Sequence, residues 1–331
     1  MPPGRKDLRG RVLRSVSRSF YLSLRILPAA LRDPLSLAYL LARATDTIAD
    51  TPEPPAALRT QALRELAAAI QGTAPTETAA RLRESFAPLQ SDETERTLIE
   101  ELPALLVWLD ELEAGDRGEV RNVLAKINRG QTLDLERFGT GGELRALASA
   151  AELDEYTYLV AGCVGEFWTR LCFAHVKNFS DRSEAEMREL GARYGQGLQL
   201  INILRDAGAD LRHGRCYFPA DELNSLGMVA GHLLREPVRI DPVLEKWREK
   251  ARYGLEAGID YACAIRNRRV RFATALPALI GARTLALFRE AGPEIFERKV
   301  KVPRAEVRKM ISASAIWSPS SLRARFEKLF R

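Results

Sequence analysis

The segment from Gln199 to Asp210 constrains the fold of this chain more than any other stretch. Written as an α-helix that turns about 100° per residue, it carries a narrow polar stripe on one face. The stripe consists of Gln199, Asn202, Asp206 and Asp210. The residues between them, such as Leu200 and Ile203, are apolar. Because a surface helix carries its polar groups outward without such an apolar surround, the sequence predicts a stripe that faces an internal cavity.

A second segment, from Tyr39 to Asp50, repeats this design with polar groups at similar helical spacing. Its stripe consists of Tyr39, Arg43, Asp46 and Asp50, among Leu40, Leu41 and Ile48. Each helix therefore presents Asp-x-x-x-Asp near its C-terminal end. Four carboxylates in one pocket repel each other unless a cation lies between them. Mg²⁺ prefers carboxylate oxygens and often bridges to phosphates, so the two helices predict facing carboxylate clusters in a magnesium–diphosphate site.

The simpler alternative is that both pairs lie on solvated helix surfaces, where Asp at i and i+4 is common. Like charges at this spacing cost a few tenths of a kcal/mol. Two such pairs inside apolar helices favour a functional explanation over the solvated one.

The chain of 331 residues is 46% hydrophobic, which is ample for a large core. Period-two alternation and β-branched clusters are rare, so we expect an all-α protein. The loops marked by Pro52–Pro55 and Gly139–Gly142 are too short to separate domains. The sequence therefore predicts one helical domain over residues 1–331, with a basic tail from about residue 294.

The expected helices are separated by proline, glycine and capping residues. They cover residues 9–27, 35–50, 56–71, 92–112, 116–138, 153–176, 183–210, 242–266, 270–289, 304–314 and 320–331. Pro103 predicts a kink, and Pro34 a first turn. Asp92 with Glu95 predicts a capping box, as does Ser183 with Glu186. Gly162 and Gly165, in mid-helix, indicate close approach of another helix or of a ligand's hydrocarbon chain.

The N-terminal segment is polar, and Arg283 interrupts the most apolar run, residues 273–288. We therefore expect no signal peptide or transmembrane helix, and a cytoplasmic protein. The four cysteines lack C-x-x-C spacing, which indicates small buried thiols in a reducing compartment rather than a zinc site.

Charge is concentrated at the C-terminal end of the chain. Residues 294–331 contain ten Lys or Arg and four Glu, an excess equal to the whole net charge of +6. Such a tail suits a phosphate-bearing ligand or peripheral contact with an anionic membrane, and no nucleic-acid motif accompanies it. The amphipathic segment 320–331 is suited to a membrane surface or to docking on the protein's own body, and docking is the favoured interpretation.

Four motifs in order give the chain a resemblance to the squalene/phytoene synthase family over roughly residues 14–308. They are Ser17–Phe20, Tyr39–Asp50, Tyr156–Gly165 and Gln199–Asp210 followed by Arg215. Within the family, Phe272–Pro277 and Lys299–Arg304 look closest to the squalene-forming members. The resemblance implies a class I isoprenoid synthase bundle of helices around a central cavity. It also implies head-to-head joining of two farnesyl diphosphates, through presqualene diphosphate, to squalene with NADPH.

The resemblance also assigns roles to individual residues. The metal ligands it implies are Asp46, Asp50, Asp206 and Asp210. Contacts to diphosphate would come from Arg18, Ser19, Arg43, Gln199, Asn202, Arg205 and Arg215. Tyr39 would line the catalytic pocket, and Tyr156 matches a tyrosine that assists proton removal. NADPH would meet Arg18, Arg43, Arg205, Lys301 and Arg304.

Two departures from the family pattern affect the cofactor more than the metal. Ala49 stands where eukaryotic squalene-forming members usually have an acidic residue, and Pro303 replaces a basic residue. The alternatives are a relative that makes presqualene diphosphate, hydroxysqualene, dehydrosqualene or phytoene without NADPH, and a non-catalytic assembly factor on the same fold.

The residues support this chemistry without the resemblance. Ionising an allylic diphosphate requires cations to neutralise the leaving group. The carbocation that results then requires a dry, apolar cavity. Tyrosine can accept a proton or stabilise positive charge through its ring. Alone, however, Tyr156 would be read as a core residue, and Lys301 and Arg304 as solvated charges.

Overall fold

The computed structural model describes residues 7–139, 143–313 and 318–330, without the side chains of residues 18–20, 22, 23, 312 and 313. The chain divides into two compact units. The first consists of Met1–Gly139 with Arg170–His175, and the second of Thr140–Thr169 with Val176–Arg331. Helices make up nearly all the regular structure of the described residues, as the sequence predicts.

Among the described residues of the first unit, seven α-helices follow a π-helical turn at Leu8–Val12. They are α1 (Leu13–Ile26), α2 (Ala29–Asp50), α3 (Ala56–Gln71), α4 (Thr78–Phe86), α5 (Glu93–Glu100), α6 (Leu102–Asp110) and α7 (Ala114–Phe138), with a 3₁₀ turn at Ala87–Leu89. The core forms where α2 packs on α3, α6 and α7. Leu37, Leu40 and Leu41 of α2 are completely buried there.

The second unit begins with α8 (Ala150–Thr157), a π-helical turn (Tyr158–Gly162) and α9 (Cys163–His175), whose last residues belong to the first unit. The remaining helices are α10 (Glu184–Arg212), α11 (Ala220–Ser225), α12 (Asp241–Ala264), α13 (Arg268–Ala291), α14 (Arg304–Ala313) and α15 (Pro319–Leu329). Short 3₁₀ turns lie at Ala230–His232, Pro237–Ile240 and Gly292–Phe296. The long helices α10 and α12 form the most extensive packing contact.

Glycines allow the helices of the second unit to approach each other closely. A methyl group added at Gly165 would lie 1.9 Å from the carbonyl oxygen of Gly191 on α10. One added at Gly254 of α12 would lie 2.5 Å from the Cα of Gly197. Gly165, one of the two mid-helix glycines predicted to permit close approach, therefore contacts another helix.

Two of the predicted helix boundaries require correction. Helix α2 begins at Ala29 rather than Leu35, and Pro34 lies inside it. Its missing amide costs only the hydrogen bond to Ala30, near the helix start. Pro103 lies at the start of α6 and separates it from α5, so the predicted kink is a break between two helices.

The loop predicted after the second aspartate pair contains a minimal strand. Arg215–Cys216 (β2) pairs in parallel with Arg145–Ala146 (β1), and this pair is the one two-stranded sheet among the described residues. Gly214, with φ of +82°, makes the turn that leads from α10 into β2. The strand thereby fixes the chain that leaves the second aspartate helix.

The C-terminal helix α15 docks on its own unit, as predicted. Leu322 and Phe326 are buried, and α15 packs on α12 and α13. Arg323 forms an ion pair with Asp260 of α12. Of the two expectations for this segment, the docked one is therefore confirmed.

One segment, Arg268–Phe296, is long and apolar enough by length and composition to cross a membrane. The part that passes this test is 61% buried, and the buried core helix of a soluble protein passes it equally well. Arg283 inside the segment pairs with Glu290 and Glu306. The composition is therefore weak grounds for a membrane span. Of the cysteines, Cys163, Cys172 and Cys216 are buried and Cys263 is partly buried, and none of the four forms a disulfide.

Candidate active site

The first aspartate pair lies on an accessible stripe of α2. Tyr39, Arg43 and Asp46 are partly accessible and Asp50 is exposed. Leu40, Leu41 and Ile48, which flank the stripe, are completely buried. The predicted polar stripe among buried apolar residues is therefore present, whereas the internal cavity that it was predicted to face stays a prediction.

Arg43 links Asp46 to a residue that the sequence patterns do not assign to the site. Its Nη1 donates to Asp46 Oδ2 at 2.5 Å, and its Nη2 donates to Glu95 Oε1 at the start of α5. Asp92 caps α5 by accepting from the amides of Thr94 and Glu95. The prediction of a capping box is thus correct for Asp92 and wrong for Glu95, because the Glu95 carboxylate binds Arg43 instead of an amide.

The carboxyl group of Asp46 has a raised pKa. Burial and the neighbouring Asp50 carboxylate raise the pKa of Asp46 to about 6, although Arg43 opposes the shift. Its side chain retains 43% of its accessible surface, so the surrounding protein crowds the carboxylate without closing it off. A cation bound beside Asp46 would therefore counter this rise in its pKa.

Tyr39 ties α2 to α1. Its hydroxyl donates to the carbonyl oxygen of Val16 at 3.2 Å, and burial raises the pKa of this phenol. The contact places Tyr39 against α1, the helix that contains Arg18 and Ser19 in its backbone. The side chains of those two residues lie outside the described part of the structure.

The second aspartate pair lies on a partly accessible stripe of α10. The amide of Asn202 donates to the side-chain oxygen of Gln199 at 3.2 Å. Asp206 and Asp210 are partly accessible, while Leu200 and Leu204 are buried. This stripe therefore combines a polar, reachable face with an apolar helix, as the first stripe does.

Asp206 carries two cationic partners. Arg205 Nη2 donates to Asp206 Oδ2 at 2.6 Å, and Lys299 Nζ forms an ion pair with Oδ1. Burial alone would raise the pKa of Asp206, but the hydrogen bonds and charges of Arg205 and Lys299 outweigh burial and lower it. The sequence patterns singled out Lys301 and Arg304 in this basic segment and missed Lys299.

Tyr156 pairs with a second tyrosine. The rings of Tyr156 and Tyr217 stack with centroids 5.1 Å apart and an interplanar angle of 27°. Their hydroxyl oxygens are 3.5 Å apart. The π-helical turn Tyr158–Gly162 follows Tyr156 directly, and such turns are frequent at functional sites. Tyr217 was expected only as part of a loop, because its partner is distant in sequence.

The remaining basic residues predicted for the site, Arg215, Lys301 and Arg304, differ in their exposure. Arg215 lies in β2 and is partly accessible, whereas Lys301 and Arg304 are exposed, with Arg304 at the start of α14. The two aspartate stripes belong to different units. Their facing arrangement therefore stays a prediction.

The donor set of each stripe suits a hard cation bound jointly with a ligand. The described residues contain no group of three or more His, Cys, Asp or Glu that would enclose a metal alone. Two carboxylates at i and i+4 offer hard oxygen donors, and Mg²⁺ usually takes its remaining ligands from water and phosphate. The residues thus fit a metal–diphosphate site better than an all-protein metal cage.

The fold and the two aspartate helices define an all-α isoprenoid synthase of class I. The chain belongs to the squalene/phytoene synthase family, whose model matches residues 13–306. It is therefore a member of a family of prenyltransferases that act on prenyl diphosphates. The predicted family and fold class are both confirmed.

Curated relatives include both branches of this family. Squalene synthase ERG9 of Saccharomyces cerevisiae is 28% identical over 213 residues, covering 63% of this chain and 44% of the relative. The squalene synthase of Schizosaccharomyces pombe is 24% identical over 91% of this chain and 63% of its own. A bifunctional lycopene cyclase/phytoene synthase of Colletotrichum graminicola is 28% identical over 67% of this chain and 35% of its own. The chain thus spans only a third to two thirds of these relatives.

Solved structures share the fold at low sequence identity. A complex of TcSQS with the ligand E5700 superimposes with a TM-score of 0.77 at 22% identity, covering 98% of this chain and 90% of the other. A dehydrosqualene synthase bound to a ligand gives a TM-score of 0.63 at 22% identity, covering 94% and 96%. At this identity the comparison establishes the architecture alone.

Proposed function

We propose that this chain joins two farnesyl diphosphates head to head to presqualene diphosphate and then reduces it with NADPH to squalene. The observation that carries the proposal is the pair of Asp-x-x-x-Asp stripes, each reachable on one face and flanked by buried aliphatic residues. An ionising diphosphate needs the polar face, and a carbocation needs the apolar surround.

The proposed metal ligands are Asp46, Asp50, Asp206 and Asp210. The accessible first pair, with its raised Asp46 pKa, fits a divalent cation because a cation would remove the repulsion between Asp46 and Asp50. Magnesium, when bound, supplies Lewis-acid neutralisation of the departing diphosphate. The protein's own contribution is to hold the carboxylates ready and to exclude water.

Arginines and amides complete the proposed diphosphate site. Arg43 and Arg205 already contact the aspartates through hydrogen bonds, so each guanidinium is positioned beside the proposed metal ligands. Planar guanidinium groups match phosphate oxygens in pairs. The further proposed contacts are Arg18, Ser19, Gln199, Asn202 and Arg215, and Tyr39 lines the pocket.

Tyr156 is the proposed proton acceptor or cation stabiliser in the first half-reaction. The stacked ring of Tyr217 restricts its orientation, and their hydroxyls lie within reach of a weak hydrogen bond. A positioned phenol can accept a proton in the transition state. NADPH contact is proposed for Arg18, Arg43, Arg205, Lys301 and Arg304, with Pro303 as the departure that most affects this assignment.

A paired incubation tests the proposal. The purified chain is given farnesyl diphosphate and Mg²⁺ in two tubes, one of them with NADPH, and the extracted lipids are analysed by mass spectrometry. We expect squalene only in the tube with NADPH and presqualene diphosphate in the other. An identical unreduced product in both tubes would refute the reductive step, and no prenyl product in either would refute the condensation.

The second candidate is a synthase that does not use NADPH. It is favoured by the similarity to a bifunctional lycopene cyclase/phytoene synthase. The same incubation, repeated with geranylgeranyl diphosphate, separates the two by product and chain length. A non-catalytic assembly factor is least supported, because both aspartate pairs are intact.

A further inference from the structure

The segment that follows α13 is anchored directly beside the second aspartate pair. Gly208 of α10 lies between Asp206 and Asp210, and a methyl group there would come within 2.1 Å of the carbonyl oxygen of Phe296. Arg212, one turn further along α10, donates to the same carbonyl oxygen at 2.8 Å. The backbone of the 3₁₀ turn Gly292–Phe296 is therefore held against the face of α10.

The contact of Phe296 with α10 places Lys299 next to Asp206. Lys299 follows Phe296 by three residues, and its ammonium group forms an ion pair with Asp206 Oδ1. Arg205 occupies the other carboxylate oxygen at 2.6 Å. Both oxygens of Asp206, which would otherwise be free to accept a metal, thus face a positive charge.

We propose that Lys299 is a built-in counter-cation of the second aspartate pair, which a divalent cation must displace from Asp206 before it binds there. The inference rests on the proposed function, because the metal role of Asp206 is part of that proposal. A lysine ammonium is a point charge on a flexible four-carbon stem, and the Lys299 side chain is half exposed. It is therefore able to leave Asp206 without a change in the anchored backbone.

The two cationic partners of Asp206 differ in how easily they are released. Arg205 is adjacent to Asp206 on the same helix and is less accessible than Lys299. Lys299 comes from a separate segment, and its contact with Asp206 ends when the side chain swings into solvent. Lys299, rather than Arg205, is thus the group that a metal displaces.

The test measures metal binding without substrate. Mn²⁺ replaces Mg²⁺ as the probe, because both prefer oxygen ligands, and free Mn²⁺ is followed by electron paramagnetic resonance. The variants are made in a background with Asp46→Asn and Asp50→Asn, so that the second pair supplies the binding. They are Lys299→Gln, Lys299→Arg, Lys301→Gln and Asp206→Asn.

We expect Lys299→Gln to lower the Mn²⁺ dissociation constant about fivefold, since a partly exposed ion pair that opposes binding is lost. Lys299→Arg keeps the charge and should retain the parent value. Lys301→Gln, which removes the same charge two residues further on, should also stay close to the parent value. This control separates the contact with Asp206 from the general basicity of the segment.

Two outcomes would overturn the inference, and they differ in what else they overturn. If Asp206→Asn abolishes Mn²⁺ binding but Lys299→Gln binds no tighter than the parent, the Lys299 inference fails and the metal role of Asp206 stands. If no variant shows binding that depends on Asp206, both fail. Should the double-variant background not fold, the same comparison is made with both pairs intact, by the Mn²⁺-induced rise in melting temperature.

Discussion

The two aspartate helices share a sequence design but differ in their electrostatics. In α2, Arg43 divides its guanidinium between Asp46 and Glu95, and the pKa of Asp46 is raised to about 6. In α10, Asp206 receives Arg205 and Lys299, and its pKa is lowered. At Asp46, burial and negative neighbours therefore outweigh one arginine, whereas at Asp206 an arginine and a lysine together outweigh burial.

The difference teaches that equal spacing of carboxylates does not make two equal sites. Asp46 and Asp206 each have an arginine within the same helix. Burial and Asp50 outweigh that arginine at Asp46, whereas Lys299 reinforces it at Asp206. Glu95 adds a negative charge to the first site, and Lys299 adds a positive charge to the second. We expect the first pair to take up a cation more readily than the second.

The largest expected effect comes from removing either site. Asp206→Ala and Asp46→Ala should each lower turnover by at least about a hundredfold, because electrostatic stabilisation of the leaving group is lost. Product formation from farnesyl diphosphate measures the loss, and circular dichroism should show unchanged helix content. A variant that loses its helical spectrum would instead identify a structural aspartate.

The next largest effect concerns Glu95, the residue of α5 that binds Arg43 at the first site. Glu95→Gln should reduce kcat/KM about tenfold, because residues that orient a primary ligand are typically worth 10- to 100-fold. Glu95→Asp should recover part of this loss. The matched control is Glu65→Gln, which removes another Glu–Arg pair in the first unit, that with Arg81. Equal kinetics for Glu95→Gln and Glu65→Gln would mean that Glu95 does not position Arg43.

The pH dependence of stability should have opposite signs at the two sites. For Asp46 the folded pKa exceeds the unfolded value of about 4, so its contribution to stability is present below pH 4 and is lost as pH rises through about 6. For Asp206 the folded pKa is lowered, so its contribution is present above the unfolded pKa and is lost as pH falls.

Urea unfolding in EDTA between pH 3 and 7 measures how the free energy of unfolding changes with pH at both sites. Asp46→Asn should flatten the loss of stability between pH 4 and 6, and Asp206→Asn should flatten the loss on the acid side. Identical pH profiles for the two variants would remove the electrostatic contrast between the sites.

The smallest expected effect concerns the tyrosine pair in the second unit. Tyr217→Phe keeps the stacked ring and removes one weak hydrogen bond, so we expect a loss in kcat of about twofold to fivefold. Tyr156→Phe, measured alongside, should cost far more if Tyr156 handles a proton. A Tyr217→Phe variant as impaired as Tyr156→Phe would show that the two hydroxyls act together.

Local patterns in the sequence predicted the longer helices, with most ends within a few residues, but missed α4 and α11. The range Ala56–Gln71 is as predicted, and the Ser183–Glu186 capping box is present. Both aspartate stripes have the predicted buried apolar flanks, and the internal cavity that they were predicted to face stays a prediction. The predicted start of α2 and the predicted kink at Pro103 were wrong, because a proline near a helix start is compatible with more than one boundary.

The sequence by itself determined the all-α class, the two aspartate stripes and the arginines beside them, since helical period and residue type are local properties. Only the tertiary structure decided that Glu95 binds Arg43, that Lys299 reaches Asp206, and that Tyr217 stacks on Tyr156. Each of these partners is separated from its site by 52 to 93 positions in the chain. Packing of distant segments, such as Phe296 against Gly208, brings such residues together, and no local periodicity records it.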